Sequence, residues 1–368
     1  MARLPAPGGC AAGSTVWQVP GVRDDHPALS LPDGADASAM VAAARPAAAT
    51  VRSGLVECLH HGVGAAVRLG AGAGDDEPGE LAAGLGGTDL VVLPRSALKL
   101  LHAVAFLEAG LDVDDELLAV VCASHSGEPG HLAVVRRLLA HAGLTEDDLR
   151  GTPDLPIDAE AAFAWRAAAG RPTSLTQNCS GNHAGMLAAS VAAGWATEGY
   201  TRADHPVQQA IAATTARLAG GVSPRVAVDG CGAPAFGTTV AGLARAYAAI
   251  GGAAPGTPEA RVRDAVLAHP WLVGGTGRRN TRLMGALPGV AVKDGADGVI
   301  AAGWADTDGA GVGVAVKVLD GADRGRGVLL AEGMRRAGLD VPATTDGVTD
   351  AVLGHGEPVG AVVALPWG

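Results

Sequence analysis

Pro94-Arg95-Ser96-Ala97-Leu98-Lys99-Leu100-Leu101-His102-Ala103-Val104-Ala105-Phe106-Leu107-Glu108 is the stretch around which the chain organises. Ala97, Leu100, Leu101, Val104 and Leu107 recur at i, i+3, i+4 and i+7 spacing, which predicts a helix over 95–110 with one buried face. Ser96 falls at its start, and Lys99 follows one short turn later on nearly the same face. Further helical patterns cover 114–123, 132–142, 159–169 and 205–219, and another lies at 328–337. Strand patterns precede this region at 51–57 and follow it at 225–228, 290–293, 299–302, 312–318 and 359–365. A helical middle flanked by strands from both ends predicts an α+β fold with an antiparallel sheet.

Residues 1–48 are rich in Ala, Pro, Gly and Asp and show no period. They read as a mobile N-terminal extension, because such a segment buries too little apolar area to offset its ordering entropy. Residues 72–87 read as a Gly- and acid-rich connection. The remainder, 49–368, contains no linker or repeat and reads as one domain. A net charge of -11 without a Lys/Arg run argues against nucleic acid or an anionic membrane as partner. No apolar stretch approaches the ~20 residues of a spanning helix. Met1-Ala2-Arg3-Leu4-Pro5 opens no apolar signal segment. Five widely spaced cysteines do not form a disulfide framework. The expectation is a cytoplasmic protein.

Among 27 basic residues only Lys99, Lys293 and Lys317 are lysines. Arg keeps its proton, whereas a desolvated Lys amine can act as a base, so a chain that otherwise uses Arg marks its lysines as candidates. Ser96-Ala97-Leu98-Lys99 is a Ser-x-x-Lys arrangement and Lys293-Asp294-Gly295 a Lys-x-Gly arrangement. These are two of the three signatures of serine hydrolases that use lysine. A helix start adds backbone N–H donors for developing negative charge. The same spacing also fits an N-cap serine with a surface lysine one turn later, and spacing alone leaves both open.

Cys122-Ala123-Ser124-His125-Ser126-Gly127-Glu128 sets polar groups directly after the apolar 117–121 run. It fits a cleft wall, and equally a helix end with Gly127 as terminator. Asn178-Cys179-Ser180-Gly181-Asn182-His183 heads another apolar helix, and Asp229-Gly230-Cys231-Gly232 forms a turn after a strand. Two thiols without a Cys-x-x-Cys pair are weak evidence for zinc, and buried inert cysteine is the default. Gly274-Gly275-Thr276-Gly277-Arg278-Arg279 lacks the Gly-Lys-Ser/Thr ending of a phosphate loop. Lys317 alternates out of an apolar strand and reads as a solvent-facing or edge residue.

Taken in order, several stretches resemble the bacterial asparaginase II family, the serine/lysine class. They are 52–57, Pro94-Arg95-Ser96-Ala97-Leu98-Lys99, Cys122 to Pro129, and Asn178-Cys179-Ser180-Gly181 with His183. Asp204-His205-Pro206, Val228-Asp229-Gly230-Cys231, Gly275-Thr276-Gly277-Arg278 and Lys293-Asp294-Gly295-Ala296 complete the series. The resemblance runs from about residue 50 to the C-terminus. It implies a fold like that of serine β-lactamases and penicillin-binding proteins, an antiparallel sheet packed by a helical region. It also implies hydrolysis of L-asparagine to L-aspartate and ammonia by a homodimer. Carried over by position, Ser96 with Lys99 and Ser124 with Lys293 form two Ser–Lys tandems, and Arg95, His183 and Asp229 fall in the substrate pocket.

Three positions depart from the family pattern. Asn182 stands where the family has a Lys that joins the positions of Cys179 and Cys231 as a zinc ligand, so no cofactor is required here and zinc is expected only at low occupancy. Lys99-Leu100-Leu101-His102 replaces Lys-Pro-Leu-Gln, and Ile300 replaces a Tyr. Two other readings remain at this stage: a penicillin-recognising serine hydrolase or esterase, and a catalytically weak amino-acid-binding homologue.

Overall fold

The computed structural model describes residues 35–72, 74 and 77–367. β1 (Arg45–Arg52), β2 (Leu55–Leu69) and β3 (Glu80–Leu85) come first, and β4 (Val91–Val92) leads into the helical region. β5 (Val226–Val228), β6 (Pro234–Phe236) and β7 (Thr238–Thr239) follow that region. β8 (Ala291–Asp294), β9 (Val299–Ala305), β10 (Gly311–Val318), β11 (Ala351–Gly354) and β12 (Glu357–Ala364) return to the sheet. The main sheet is antiparallel in the order β11-β12-β1-β2-β10-β9-β8, with β3 paired to the far half of β2. β4 pairs with β7 and β5 with β6 as separate two-stranded ribbons. The result is a curled antiparallel sheet packed against helices, with strands from both ends of the chain meeting at the centre.

Two helices cover the sheet on opposite faces. Successive side chains of a strand point to opposite sides, and in β10 a Cβ on Gly313 would run into the Ala244 carbonyl while Val314 meets Gly333. Gly303 and Gly311 likewise face the carbonyls of Tyr247 and Ala248. The helix Val240–Gly251 therefore rests on a bed of glycines, closer than any side chain allows. This close packing aims the Tyr247 hydroxyl at Ala97 O, 2.7 Å away, tying the sheet layer to the turn that carries Ser96. Beyond it lies the helix Lys99–Glu108, buried from Lys99 to Phe106 and wrapped by the helices Ser180–Ala192, Pro206–Ala219 and Pro258–Ala268.

Several sequence expectations need correction. A helix occupies Ala35–Ala43 and β1 begins at Arg45, so regular structure lies before the expected boundary at 48; residues 1–34 of the expected extension lie outside the described residues. The 51–57 strand pattern spans a hairpin instead, with Ser53 and Gly54 in the left-handed region at the turn between β1 and β2. The connection at 72–87 contains β3, whose small residues Ala82, Ala83 and Gly84 carry no β-branched signal. Lys317 sits on β10, an interior strand between β2 and β9, and not on an edge; its amine donates to the Asp297 carbonyl.

The glycine bed gives a stability test. Gly313→Ala is expected to cost about 1–3 kcal/mol through overpacking. Gly285→Ala, in the helix Arg279–Ala286 with open space at its Cβ position, is expected to gain about 0.4–1 kcal/mol. Chemical denaturation of the two variants measures both.

Candidate active site

The predicted helix over 95–110 begins as a 3-10 turn, Arg95–Leu98, and continues as the α-helix Lys99–Glu108. Arg95 holds a φ of 55°, a left-handed conformation uncommon for a side-chain-bearing residue and typical of strained functional turns. Ser96 is half-buried in this turn, and its N–H belongs to the first turn, where no intrahelical acceptor exists.

Ser124 arrives from a different direction. Asp114 caps the helix Asp115–Val121 by accepting from Leu117 N at 2.9 Å, and the chain then extends through 123–127. Ser124 N donates to Val273 O at 3.1 Å, His125 N to Asn178 O at 3.0 Å and Ser126 N to Gly274 O at 2.8 Å. These bonds hold the segment between two neighbouring loops. Gly275 is needed there, because a Cβ at its φ of 122° would run into Ser126.

Lys293 lies on β8, whose following residue, Gly295, lets the strand end approach the loop before Ser96; a Cβ there would run into Pro94 O. Both lysine amines converge on one hydroxyl. Lys99 Nζ donates to Ala123 O at 2.6 Å and lies 3.1 Å from Ser124 Oγ. Lys293 Nζ also lies 3.1 Å from Ser124 Oγ, and it contacts Asp294 O at 2.7 Å and Asp294 Oδ1 at 2.6 Å. Helical spacing placed Lys99 beside Ser96, but its amine bonds Ser124. Burial pulls the Lys293 amine down to about 8 against the opposing pull of Asp294, with Lys99 and Arg278 pushing the same way as burial.

Ser96 and Ser124 open onto one cavity of about 240 Å3, lined also by Asn178, Arg278, Asp294 and Asp297. Ser96 also borders a second space of about 20 Å3, the size of a single water, next to Lys99, His102, Cys179, Asp229 and Cys231. Arg95 stands at this junction. It donates to Asp229 through Nε at 2.6 Å and a terminal nitrogen at 3.1 Å, and to Asp297 at 2.7 Å. The structure thus brings Arg95 and Asp229 together as an ion pair beside Ser96. His183 is buried and lines neither cavity; its Nδ1 pairs with the Tyr200 hydroxyl at 2.9 Å, and its Nε2 has no partner. Burial lowers His183 and His102 to about 4, so both are neutral near neutral pH.

The family model described as L-asparaginase II matches residues 48–364. The chain belongs to the L-asparaginase II family. No curated protein matches it. Membership makes it an asparaginase-type amidohydrolase by family, and among the described residues no helix is long and apolar enough to cross a membrane.

The family resemblance implies a zinc held by Cys179, Cys231 and the residue at 182, and here the third of these donors is an amide. Each end of the Asn182 amide has a partner: its nitrogen donates to Val121 O at 2.9 Å, and its oxygen pairs with His102 Nδ1 at 3.1 Å. Two departures from the family pattern, His102 and Asn182, therefore meet in space as a structural strut. The thiols of Cys179 and Cys231 border the same water-sized space, and Cys231 together with Lys99 holds the Cys179 thiol well below its ordinary range. Among the described residues no group of three or more His, Cys, Asp or Glu side chains gathers to hold a metal.

Two residues that matter here escaped sequence reasoning. In the sequence Asp294 is only the variable position of Lys-x-Gly, and Tyr247 lies in the helix Val240–Gly251, outside the helical patterns read above. The periodicity of 240–251 was readable, but nothing in either local sequence gives the partner across the fold.

With only two thiols left, purified protein is expected to carry well under one zinc per chain by elemental analysis. Asn182→Lys is expected to raise that occupancy. Stoichiometric zinc in the unaltered protein would contradict this reading.

Proposed function

We propose that the protein is an L-asparaginase that converts L-asparagine to L-aspartate and ammonia through an acyl-enzyme on Ser96. The observation that carries this reading is the Ser124 hydroxyl held 3.1 Å from each of two buried lysine amines, at a cavity that also receives Ser96. A hydroxyl has one proton and two lone pairs, so a serine between two amines is a proton relay. Either amine can lend or take the proton while the other holds the oxygen in place.

Ser96 Oγ attacks the side-chain amide carbon as Lys99, which borders the same water-sized space, accepts its proton. The N–H of Ser96, free of any intrahelical acceptor, faces the developing oxyanion. Collapse of the tetrahedral intermediate breaks the C–N bond. The leaving nitrogen takes its proton from Ser124, which is resupplied by the lysines. Water then attacks the ester by the reverse path, releases aspartate and restores Ser96. No step requires a metal.

Arg95 and Asp229 suit the α-carboxylate and α-ammonium of the substrate, because a bound zwitterion would exchange their single ion pair for two. His183 lines neither cavity and serves this pocket only from behind, as a buried, uncharged side chain held by Tyr200. On the same family resemblance, the fold is of the serine β-lactamase type and the working unit is a cytoplasmic homodimer.

Ammonia release is the direct assay, with L-asparagine and L-glutamine as substrates and a chromogenic β-lactam as control. Asparagine is expected to be turned over and the β-lactam not. Lys99→Arg and Lys293→Arg keep the charge but cannot deprotonate. Each is expected to lower turnover by at least ~10²-fold, the scale of general acid–base help. Near-normal activity in both variants would make the lysines simple electrostatic partners and defeat the relay.

A further inference from the structure

Asp294 is one buried carboxylate facing three cations. Its Oδ1 accepts from Lys293 Nζ at 2.6 Å and from Asn280 Nδ2 at 2.7 Å. Its Oδ2 accepts from Arg278 at 3.2 Å and from Arg326 at 3.5 Å. These partners come from three separate segments: β8, the turn and helix around 278–286, and the start of the helix Arg326–Arg336. Lys293 is fully buried and Asp294 nearly so.

The geometry at the amine is specific. Asp294 supplies two acceptors to Lys293 Nζ, its backbone carbonyl at 2.7 Å and its carboxylate at 2.6 Å. A tetrahedral nitrogen with two positions so engaged has its remaining bonding direction for Ser124, 3.1 Å away. When the amine is charged, an N–H in that direction donates to Ser124. When it is neutral, the lone pair there can accept the Ser124 proton. We propose that Asp294 is the positioning residue that aims the Lys293 amine at Ser124 and sets its protonation state, with Arg278 acting in the opposite sense. The inference rests on the Ser–Lys reading above for its catalytic meaning, but its physical content is separate.

The charges around Lys293 support the assignment. Asp294 faces it from β8, Lys99 from across Ser124, and Arg278 from the turn before the helix Arg279–Ala286. Arg326 lies behind Asp294. The Cys122 thiol is also close and is pushed up to about 12 by burial, so it stays neutral. Tyr247, raised well above its ordinary range by burial, stays neutral too. Asp294 is the anion among these groups. Without its charge, Lys293 would shed its proton at lower pH, because an uncompensated buried ammonium is costly. Removing Arg278 takes away a repelling cation and shifts Lys293 the other way.

The chain makes this measurable, since it contains only three lysines. Protein labelled with 13C at lysine Cε gives at most three side-chain signals, assignable with the Lys→Arg variants and followed by NMR as a function of pH. The Lys293 midpoint is expected near 8 in the unaltered protein. In Asp294→Asn, which keeps a hydrogen-bonding oxygen but loses the charge, the midpoint is expected to fall by about 1–3 in pH. Asp294→Glu is expected to bring it back towards the unaltered value, and Arg278→Met to raise it. The pH limb of kcat governed by Lys293 is expected to follow these midpoints.

An unmoved midpoint in Asp294→Asn, or movement in the same direction in both variants, overturns the proposal. If Asp294→Asn does not fold, the upward shift in Arg278→Met carries the test. Failure of the asparaginase reading looks different: the unaltered protein would release no ammonia while the midpoints still moved as stated.

Discussion

The Ser124 hydroxyl is shared by two lysine amines that have almost no access to water. Two amines this close in a dry place could not both carry a charge without repelling each other, and burying two charges would cost more than a single hydroxyl returns. Much of the surrounding structure answers that constraint. The Ala123 carbonyl takes one N–H of Lys99, and Asp294 takes two directions of Lys293. Burial brings the Lys293 proton within reach of physiological pH, where an amine can both give and take it.

Placing both amines on one oxygen requires three remote segments to meet within hydrogen-bond distance. The sheet supplies β8 and thus Lys293, the helical region supplies Lys99, and the extended run after Val121 supplies Ser124. Small residues make the meeting possible. Gly295 admits the loop that carries Ser96, and Gly275 admits Ser126. Gly303, Gly311 and Gly313 let the helix Val240–Gly251 settle on the sheet, so that Tyr247 can hold the Ala97 carbonyl. Interiors packed to this density transmit small displacements. A methyl group added to the bed would therefore be felt at the Ser96 turn.

Local sequence spoke clearly wherever the physics was local. Helical spacing marks the helix bearing Lys99, short Val-rich runs mark β8 to β10, and the rarity of lysine singles out Lys99 and Lys293. The ordered motifs then placed Ser124, Arg95 and Asp229 in one chemical setting. What could not be read was reach. Ser96 and Lys99 share a helix face, yet the amine crosses to Ser124, because a four-carbon stem answers to tertiary acceptors and not to sequence spacing. The same limit hid Asp294, whose partners at 278, 280 and 326 lie in distant stretches. β3 was missed because Ala and Gly carry no strand signal. The substitutions at 102 and 182 looked independent in sequence, and only the fold shows that they touch.

The central claim is a division of labour: Ser96 carries the acyl group while Ser124 moves protons between the lysines. It is tested most directly by quenching the enzyme with a slowly turned-over amide or ester of aspartate and measuring intact mass, followed by peptide mapping. The account predicts one acyl adduct per chain, located on Ser96, with Ser124→Ala still forming it more slowly. An adduct on Ser124, or none on Ser96 while ammonia is being released, would contradict it.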